Sequence, residues 1–334
     1  TKTRVVDPLT LGTLVGAGRS GLLFCVPHHG GVTDSAIRVP GGRDAALLVI
    51  AVAAVSTSAP MIAACTAPAL AIAFWRSILG SGATAPFVVV AGLSQFRDLT
   101  RRQWLWLLSA GVFLGLHFAT WIPSIRFTSV ASAAALVATQ PVWAALIARA
   151  RGARVVPGVW VGIVVSLVGV VVLTGIDFHL DPRSLFGDVL ALVGAALAAA
   201  YVTTGEQARQ SLTTANYTVV AYAVSALVLL PLCFAFGASL TGYSARDWAL
   251  ILGLTAIAQL LGHTLVNVVL QSTSATVVSL AILFELPGAI IVAAVFLGQV
   301  PPPQIIPALV LLAAGLVLVV RASRADQPLE SPPV

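Results

Sequence analysis

Between Ala45 and Val320 the apolar residues gather into ten stretches of membrane-spanning length, separated by short polar connections. A helix needs roughly 20 mostly apolar residues to cross a bilayer. The predicted spans are 46–66, 68–92, 104–123, 130–149 and 157–175, then 187–205, 216–237, 248–269, 274–298 and 304–320. Inside a bilayer every backbone polar group must find its partner within the protein, which a helix achieves along its own length. The pattern therefore predicts an all-α polytopic membrane protein of ten transmembrane helices. The link around Thr66 to Pro68 is so short that the first two spans should form a tight hairpin.

The second five spans echo the first five. At an offset of 146 residues His117 falls on His263, Pro141 on Pro287, Gly152 on Gly298, Pro157 on Pro303 and Gly169 on Gly315. Asp44 and Asp188 open the two halves at an offset of 144. Each half holds an odd number of spans, so the second must enter the membrane with the opposite polarity. Two inverted five-helix repeats are expected, over 44–176 and 186–321, with the binding site near the midplane between them. Residues 1–43 read as a tail, either disordered or an over-extended start, and 322–334 as a second tail.

Composition narrows the class. The chain is 58% hydrophobic and 9% charged, with mean hydropathy +0.99, against about a quarter charged in a soluble domain. Ten spans use about 200 residues, which leaves no room for a soluble catalytic domain. The net charge of +6 forms no basic stripe, so a nucleic-acid partner is not expected. Basic residues sit instead at the ends of the spans. With the N-terminus inside, Lys2, Arg4, Arg19, Arg38, Arg43, Arg97, Arg101, Arg102, Arg149, Arg151, Arg154, Arg209, Arg321 and Arg324 face inward, 14 in all. Only Arg126, Arg183 and Arg246 face outward. Dropping the first 43 residues leaves nine against three. Cytoplasmic loops collect Lys and Arg, so both termini are expected in the cytoplasm, with the chain in the inner (plasma) membrane. Cys25, Cys65 and Cys233 are too widely spaced for a metal or disulfide framework.

Few polar side chains lie within the spans. Glu285 is the one carboxylate well inside an apolar stretch; such residues usually face a cavity and mark ion or substrate paths. It is a candidate proton or substrate site, or else a packing carboxyl bonded to a neighbouring helix. His117 and His263 suit proton relay or binding, or are packing residues inherited from one ancestral repeat. Arg76 sits about eight residues, roughly 12 Å, into the second span, placed either to bind an anionic group or to pair with Glu285. Trp75, Trp121, Tyr201 and Tyr222 are candidate cavity aromatics, and Gln259 and Asn267 candidate cavity dipoles or interhelical bonds. Pro60, Pro123, Pro141, Pro231 and Pro287 are candidate hinges, since proline frees backbone groups beside a cavity.

Other motifs carry less. "GAGRSG" (Gly16 to Gly21) matches a dinucleotide fingerprint but lacks the strand-helix context and acidic partner. "GVFLG" (Gly111 to Gly115) and "GVWVG" (Gly158 to Gly162) have the small-xxx-small spacing of closely packed helices. No Walker, zincin or nucleophile-elbow sequence is present. No catalytic residue, metal site or cofactor is therefore assigned, and no feature assigns an oligomeric state.

The ordered set "FWRSILG" (Phe74 to Gly80), "ATQPVWAALIA" (Ala138 to Ala148), "GVWVGIVVSLVGVVVLTG" (Gly158 to Gly175), "FGDVLALVGAALAAAYVTTGEQAR" (Phe186 to Arg209), "FELPGAIIVAAVFLGQ" (Phe284 to Gln299) and "ALVLLAAGLVLV" (Ala308 to Val319) resembles the ten-span EamA branch of the drug/metabolite transporter superfamily. The resemblance covers about 44–321. It implies a carrier rather than an enzyme, without cofactor, moving a small metabolite or drug by alternating access, often as an exporter. Its partners would be that solute, protons and the bilayer. Many relatives end the fourth and ninth spans in Gly-Glu, where this chain has Gly152-Ala153-Arg154 and Gly298-Gln299. The family's Glu before a helix-breaking Pro is kept as Glu285, one residue ahead of Leu286-Pro287. Anchoring the repeat there changes the offset to 145 and pairs Glu285 with Gln140. The rival readings are a flippase or membrane-embedded enzyme for a lipid or prenyl-linked substrate, which would want clustered carboxylates or several Arg at one face, and a non-transporting scaffold.

Overall fold

The computed structural model describes residues 38–128, 130–174, 181–297 and 303–325. The "GAGRSG" motif, Gly298, Gln299 and nearly all of the N-terminal tail lie outside the described residues. Within them the chain is all helical. Eight helical segments are long and apolar enough to cross a membrane: Gly42–Ala64, Ala69–Val90, Arg101–Ser124, Pro182–Ala208, Thr214–Ala235, Ala245–Val269, Ala275–Val292 and Ile305–Ala325. Ala135–Ala150 and Pro157–Leu173 are shorter and supply the fourth and fifth. They make up the ten expected spans.

Three spans read as continuous in the sequence are broken. The first divides into Gly42–Val55 and Ser58–Ala64, the fourth into Val130–Val137 and Gln140–Ala150, the ninth into Ala275–Ile282 and Glu285–Leu297. Each break has a proline just downstream. A helical proline removes its own N–H and its ring clashes with the carbonyl four residues back. For Pro60, Pro141 and Pro287 that carbonyl belongs to Ser56, Val137 and Leu283, at the break or at its upstream edge. Pro123 behaves otherwise. It is the last residue but one of Arg101–Ser124, so it ends the third span instead of hinging it. Pro231 lies within the unbroken helix Thr214–Ala235.

The breaks settle the repeat register. The half-helices of spans four and nine restart at 140 and 285, an offset of 145. Gln140 therefore corresponds to Glu285, and Pro141 to Leu286 rather than to Pro287. The 146-residue match of the histidines has another origin. The third and eighth spans are capped by Thr100 and Ser244, 144 apart, but end at Ser124 and Val269, 145 apart. Span eight is one residue longer, 25 against 24. It takes up the surplus in a π-helical segment, Thr255–His263, whose wider turns hold more residues than an α-helix. Measured from the ends of the two spans, His117 corresponds to Gly262, so the two histidines occupy neighbouring rather than matching repeat positions.

The inverted arrangement is visible in the polar contacts at the two ends. Span six carries Asp188 near its start, bonded by Thr128 Oγ1 at 2.7 Å, and Glu206 near its end, paired with Arg38 at 2.7 Å. Eighteen residues of helix hold these ends roughly 27 Å apart. Span one begins on the Glu206 face, where Arg38 and Asp44 meet Gln271 and Ser272. Span six begins on the other. The helix contacts share this symmetry. Span three packs on span six and span eight on span one, while two pairs with seven, four with nine and five with ten. Exchanging each span for its counterpart swaps the first two contacts and leaves the other three unchanged, as a pseudo-twofold axis requires.

Glycine sets the closest approaches. The "GVFLG" pair faces span seven, where a Cβ at Gly111 would lie 2.6 Å from Val224 Cβ and one at Gly115 3.0 Å from Ser225 O. The "GVWVG" pair and Gly169 face span ten, where a Cβ at Gly162 would lie 2.5 Å from Val319 Cγ2 and 2.6 Å from Gly315 O. Gly162→Val should therefore force the two helices apart and cost about 2 kcal/mol, read as a fall in the unfolding midpoint in detergent. Gly82→Ala, where an added Cβ meets nothing within 4 Å, should leave the midpoint unchanged or raise it through about 1 kcal/mol of helix propensity.

Candidate functional site

The break in span one packs against the π-helical segment of span eight, and span nine meets that same break. A Cβ at Gly262 would lie 2.6 Å from Val55 Cγ1, the last residue before the break in span one, and Gly288 faces Ser56. Inside this junction lies a cavity of about 60 Å³, room for a few water molecules. The first residues after the three breaks, Ser58, Gln140 and Glu285, all line it. So do Arg76, His117, Phe118, Trp121, Tyr201 and His263.

Arg76 is fully buried. Its Nε and Nη2 both donate to Gln259 Oε1, at 3.1 and 2.7 Å. The guanidinium lies over the Phe118 ring, 4.3 Å from its centroid, a cation–π contact worth about 2 kcal/mol away from water. Nη1 has no partner. Of the two alternatives for Arg76, the ion pair with Glu285 is not made: among the described residues the ion pair is Arg38–Glu206. Gln259 lies in the π-helical segment, and Tyr222 braces it from behind by donating its hydroxyl to the Gln259 carbonyl at 3.3 Å.

His117 is placed by span six. Its Nδ1 lies 2.9 Å from the Gly194 carbonyl, so Nδ1 carries the proton and donates, and Nε2 is left as the acceptor. The ring stacks on Trp121 at 5.8 Å with 6° between planes. His263 stands edge-on to Phe118, 6.1 Å away. Phe118 thus separates the arginine from the second histidine. Gln140 Nε2 donates to Ser279 Oγ at 3.0 Å and ties the broken span four to the broken span nine. Glu285, at the matching place in span nine, is half-buried, and among the described residues no hydrogen bond or ion pair reaches its carboxylate.

Three sequence candidates stand apart from the cavity. Trp75 donates its indole N–H to Leu240 O at 2.8 Å and packs edge-on against Trp248 at 5.0 Å, near the face where Asp247 accepts from the Thr66 N–H and hydroxyl. Its ring is held by the loop between spans seven and eight and is turned away from the midplane. Tyr222 is wholly buried behind Gln259. Asn267 accepts from the Tyr201 hydroxyl at 2.9 Å and presents its carbonyl to Arg209 Nε at 2.9 Å, so it anchors a cavity residue without reaching the cavity. Arg209, whose role sequence reasoning missed, is 1% exposed. Burial pulls its pKa down to about 10, still protonated near neutrality, and it closes the ends of spans six and eight. Ser58 and Phe118 were also missed. Pro60 two residues beyond Ser58 was the available signal for the first; nothing beyond adjacency to His117 marked the second.

Ten apolar spans, folded as two inverted repeats around a small cavity with ionisable side chains on its wall, define a multi-pass membrane transporter. The chain belongs to the EamA-like transporter family, whose model matches residues 44–175 and 185–321. A solved crystal structure shares the fold with a TM-score of 0.71 at 16% identity, covering 86% of this chain and 100% of the other. No curated protein matches the chain in sequence.

Removing Gln259 should expose how the guanidinium is held. Gln259→Leu strips both bonds from a buried charge and should cost about 3 kcal/mol. Arg76→Met/Gln259→Leu should recover most of that loss, because no charge is then left buried. Thermal unfolding of the two variants in the same detergent checks the sign of the difference.

Proposed function

We propose that the protein is a secondary transporter that carries a small metabolite or drug-like solute across the inner (plasma) membrane by alternating access, in the direction of export, with both termini in the cytoplasm. The observation that carries this reading is the cavity at the junction of broken spans one, four and nine, with Arg76, His117, Gln140 and Glu285 on its wall. Non-helical backbone at membrane depth is tolerated where it lines a cavity or is buried in protein, and carriers built from inverted repeats bind solute at such discontinuities.

The volume supports a moving mechanism. Ligand pockets run to roughly 300 Å³ or more, several times the cavity seen here, so solute entry requires the half-helices to separate. The repeats rock about the pseudo-twofold, opening the junction to one side and then the other. Glu285 and His117 Nε2 are the groups proposed to take up a proton during that cycle. Basic residues gather toward the ends of the spans assigned to the cytoplasm, which supports the orientation.

In proteoliposomes, flux of solutes from a metabolite panel should rise when a pH gradient is imposed. Glu285→Gln should abolish that rise while leaving downhill exchange measurable; an unchanged response to the gradient would remove Glu285 from proton coupling. Topology has its own test. In a background with the native cysteines replaced, Arg183→Cys and Arg246→Cys should react with an impermeant thiol reagent added to whole cells, and Arg101→Cys only after the membrane is opened. The reverse pattern would invert the proposed orientation.

A further inference from the structure

The pseudo-twofold exchanges two packed pairs, span one with span eight and span six with span three. Within each pair the polar contacts are matched. Arg38 Nη1 donates to Gln271 O at 2.9 Å, and Arg183 Nη2 donates to Arg126 O at 3.2 Å, donors and acceptors both 145 residues apart. Ser272 Oγ donates to Asp44 as Thr128 Oγ1 does to Asp188, at an offset of 144. Between the pairs the contacts are unequal. At the Asp188 end the tie between described residues is Arg126 Nη2 to Cys65 O, a long 3.4 Å. Its counterpart at the Glu206 end is Gln271 Nε2 to Arg209 O at 3.2 Å. That end adds Arg209 Nε to Asn267 O at 2.9 Å and the Arg38–Glu206 ion pair at 2.7 Å.

Glu206 has no acidic counterpart at the opposite face. At an offset of 145 or 144 its repeat position is Met61 or Ile62, and both are apolar. Three segments meet at this carboxylate. Oε1 takes Arg38, just ahead of span one, and Oε2 accepts the Ala275 N–H at 3.3 Å, at the positive N-terminus of span nine. The Arg38 carbonyl in turn accepts the Ser274 N–H at 3.0 Å and its hydroxyl at 3.2 Å. Arg38 is 38% and Glu206 16% exposed, whereas Arg209 and Asn267 are buried. Parting that starts from the water therefore breaks the ion pair before the ties beneath it. Resting on the transporter reading above, we propose that Arg38 and Glu206 form a latch on the cytoplasmic end of the boundary between the two helix pairs. The empty carrier parts at the Cys65 end, and it opens to the cytoplasm only after this ion pair is broken. Glu206 touches no solute; it acts by holding span six to the segment that leads into span one.

Each end can report its own opening. Cys65 is 3% exposed, so a thiol reagent reaches it only when the Asp188 end parts. Thr273, wholly buried at the Glu206 end, gives the matching position through Thr273→Cys. The test labels purified full-length protein with N-ethylmaleimide in detergent, where both faces meet the reagent and the outcome is independent of orientation. Cys25→Ser and Cys233→Ser are present throughout, with Cys65→Ser added when position 273 is read. Labelling of a buried thiol follows the population of the open form. Relative to the unfolded chain, Cys65 should react faster than the thiol at 273. Glu206→Gln, which keeps an oxygen for the Ala275 N–H, and Arg38→Gln should each speed labelling at 273 about threefold, the worth of a partly exposed ion pair, while Cys65 reacts no faster. The double variant should match either single one, because both remove the same interaction. Equal rates at the two ends before substitution, no change at 273, faster labelling at both ends together, or single effects that add in the double variant would each overturn the latch. The two readings fail separately. The expected labelling without flux of any solute in proteoliposomes sinks the transporter and spares the latch; flux without that labelling pattern does the opposite.

Discussion

A guanidinium held at membrane depth without a carboxylate is the constraint around which this molecule is arranged. Removing such a charge from water costs several kcal/mol, and the fold offsets it with an amide oxygen and an aromatic face. Each of these brings a demand of its own. The amide belongs to Gln259, in the π-helical segment of span eight. That segment packs against spans one and two, and Gly262 lets Val55 approach where span one breaks. The aromatic face belongs to Phe118, which shares span three with His117 and must be pressed toward span two. The whole junction follows from keeping one cation where lipid cannot reach it.

The broken spans serve the same end by different means. Proline removes an N–H and displaces a carbonyl, and the residue that restarts each helix is polar: Ser58, Gln140 and Glu285. In spans four and nine these are the same repeat position, filled once by an amide and once by an acid. The amide bridges to Ser279, whereas among the described residues no hydrogen bond or ion pair reaches the acid. One ancestral position has thus diverged into a structural tie and an ionisable group. That divergence separates the two halves chemically while their helices stay in register.

Much of this was legible in the chain. Ten apolar stretches and an odd-numbered repeat fix the fold class, because the bilayer leaves helices few alternatives. Arg76, His117, His263, Gln140 and Glu285 stand out as polar positions in apolar runs, and the structure brings all five to one cavity. Trp75 could not be placed in this way. An aromatic one residue from a buried cation points to a different side of the helix, and no periodicity says which side faces the cavity. Pro60, Pro141 and Pro287 marked the helix breaks as candidate hinges, but nothing in the chain told them from Pro123, which ends a helix, or Pro231, which lies within an unbroken one. The π-helical segment was hidden because one surplus residue in a 25-residue span shows only once the ends of both counterpart spans are known. That residue also explains why a single repeat offset fails.

The break in span one has no counterpart in span six, which runs as one helix from Pro182 to Ala208. A carrier made of two identical inverted halves would have inward-open and outward-open forms of equal energy, each the image of the other. Here the interrupted first span rests on the π-helical segment of the eighth, while the uninterrupted sixth rests on a regular third. The two halves are not interchangeable: any motion that parts the junction on one side meets a different backbone from the motion that would part it on the other.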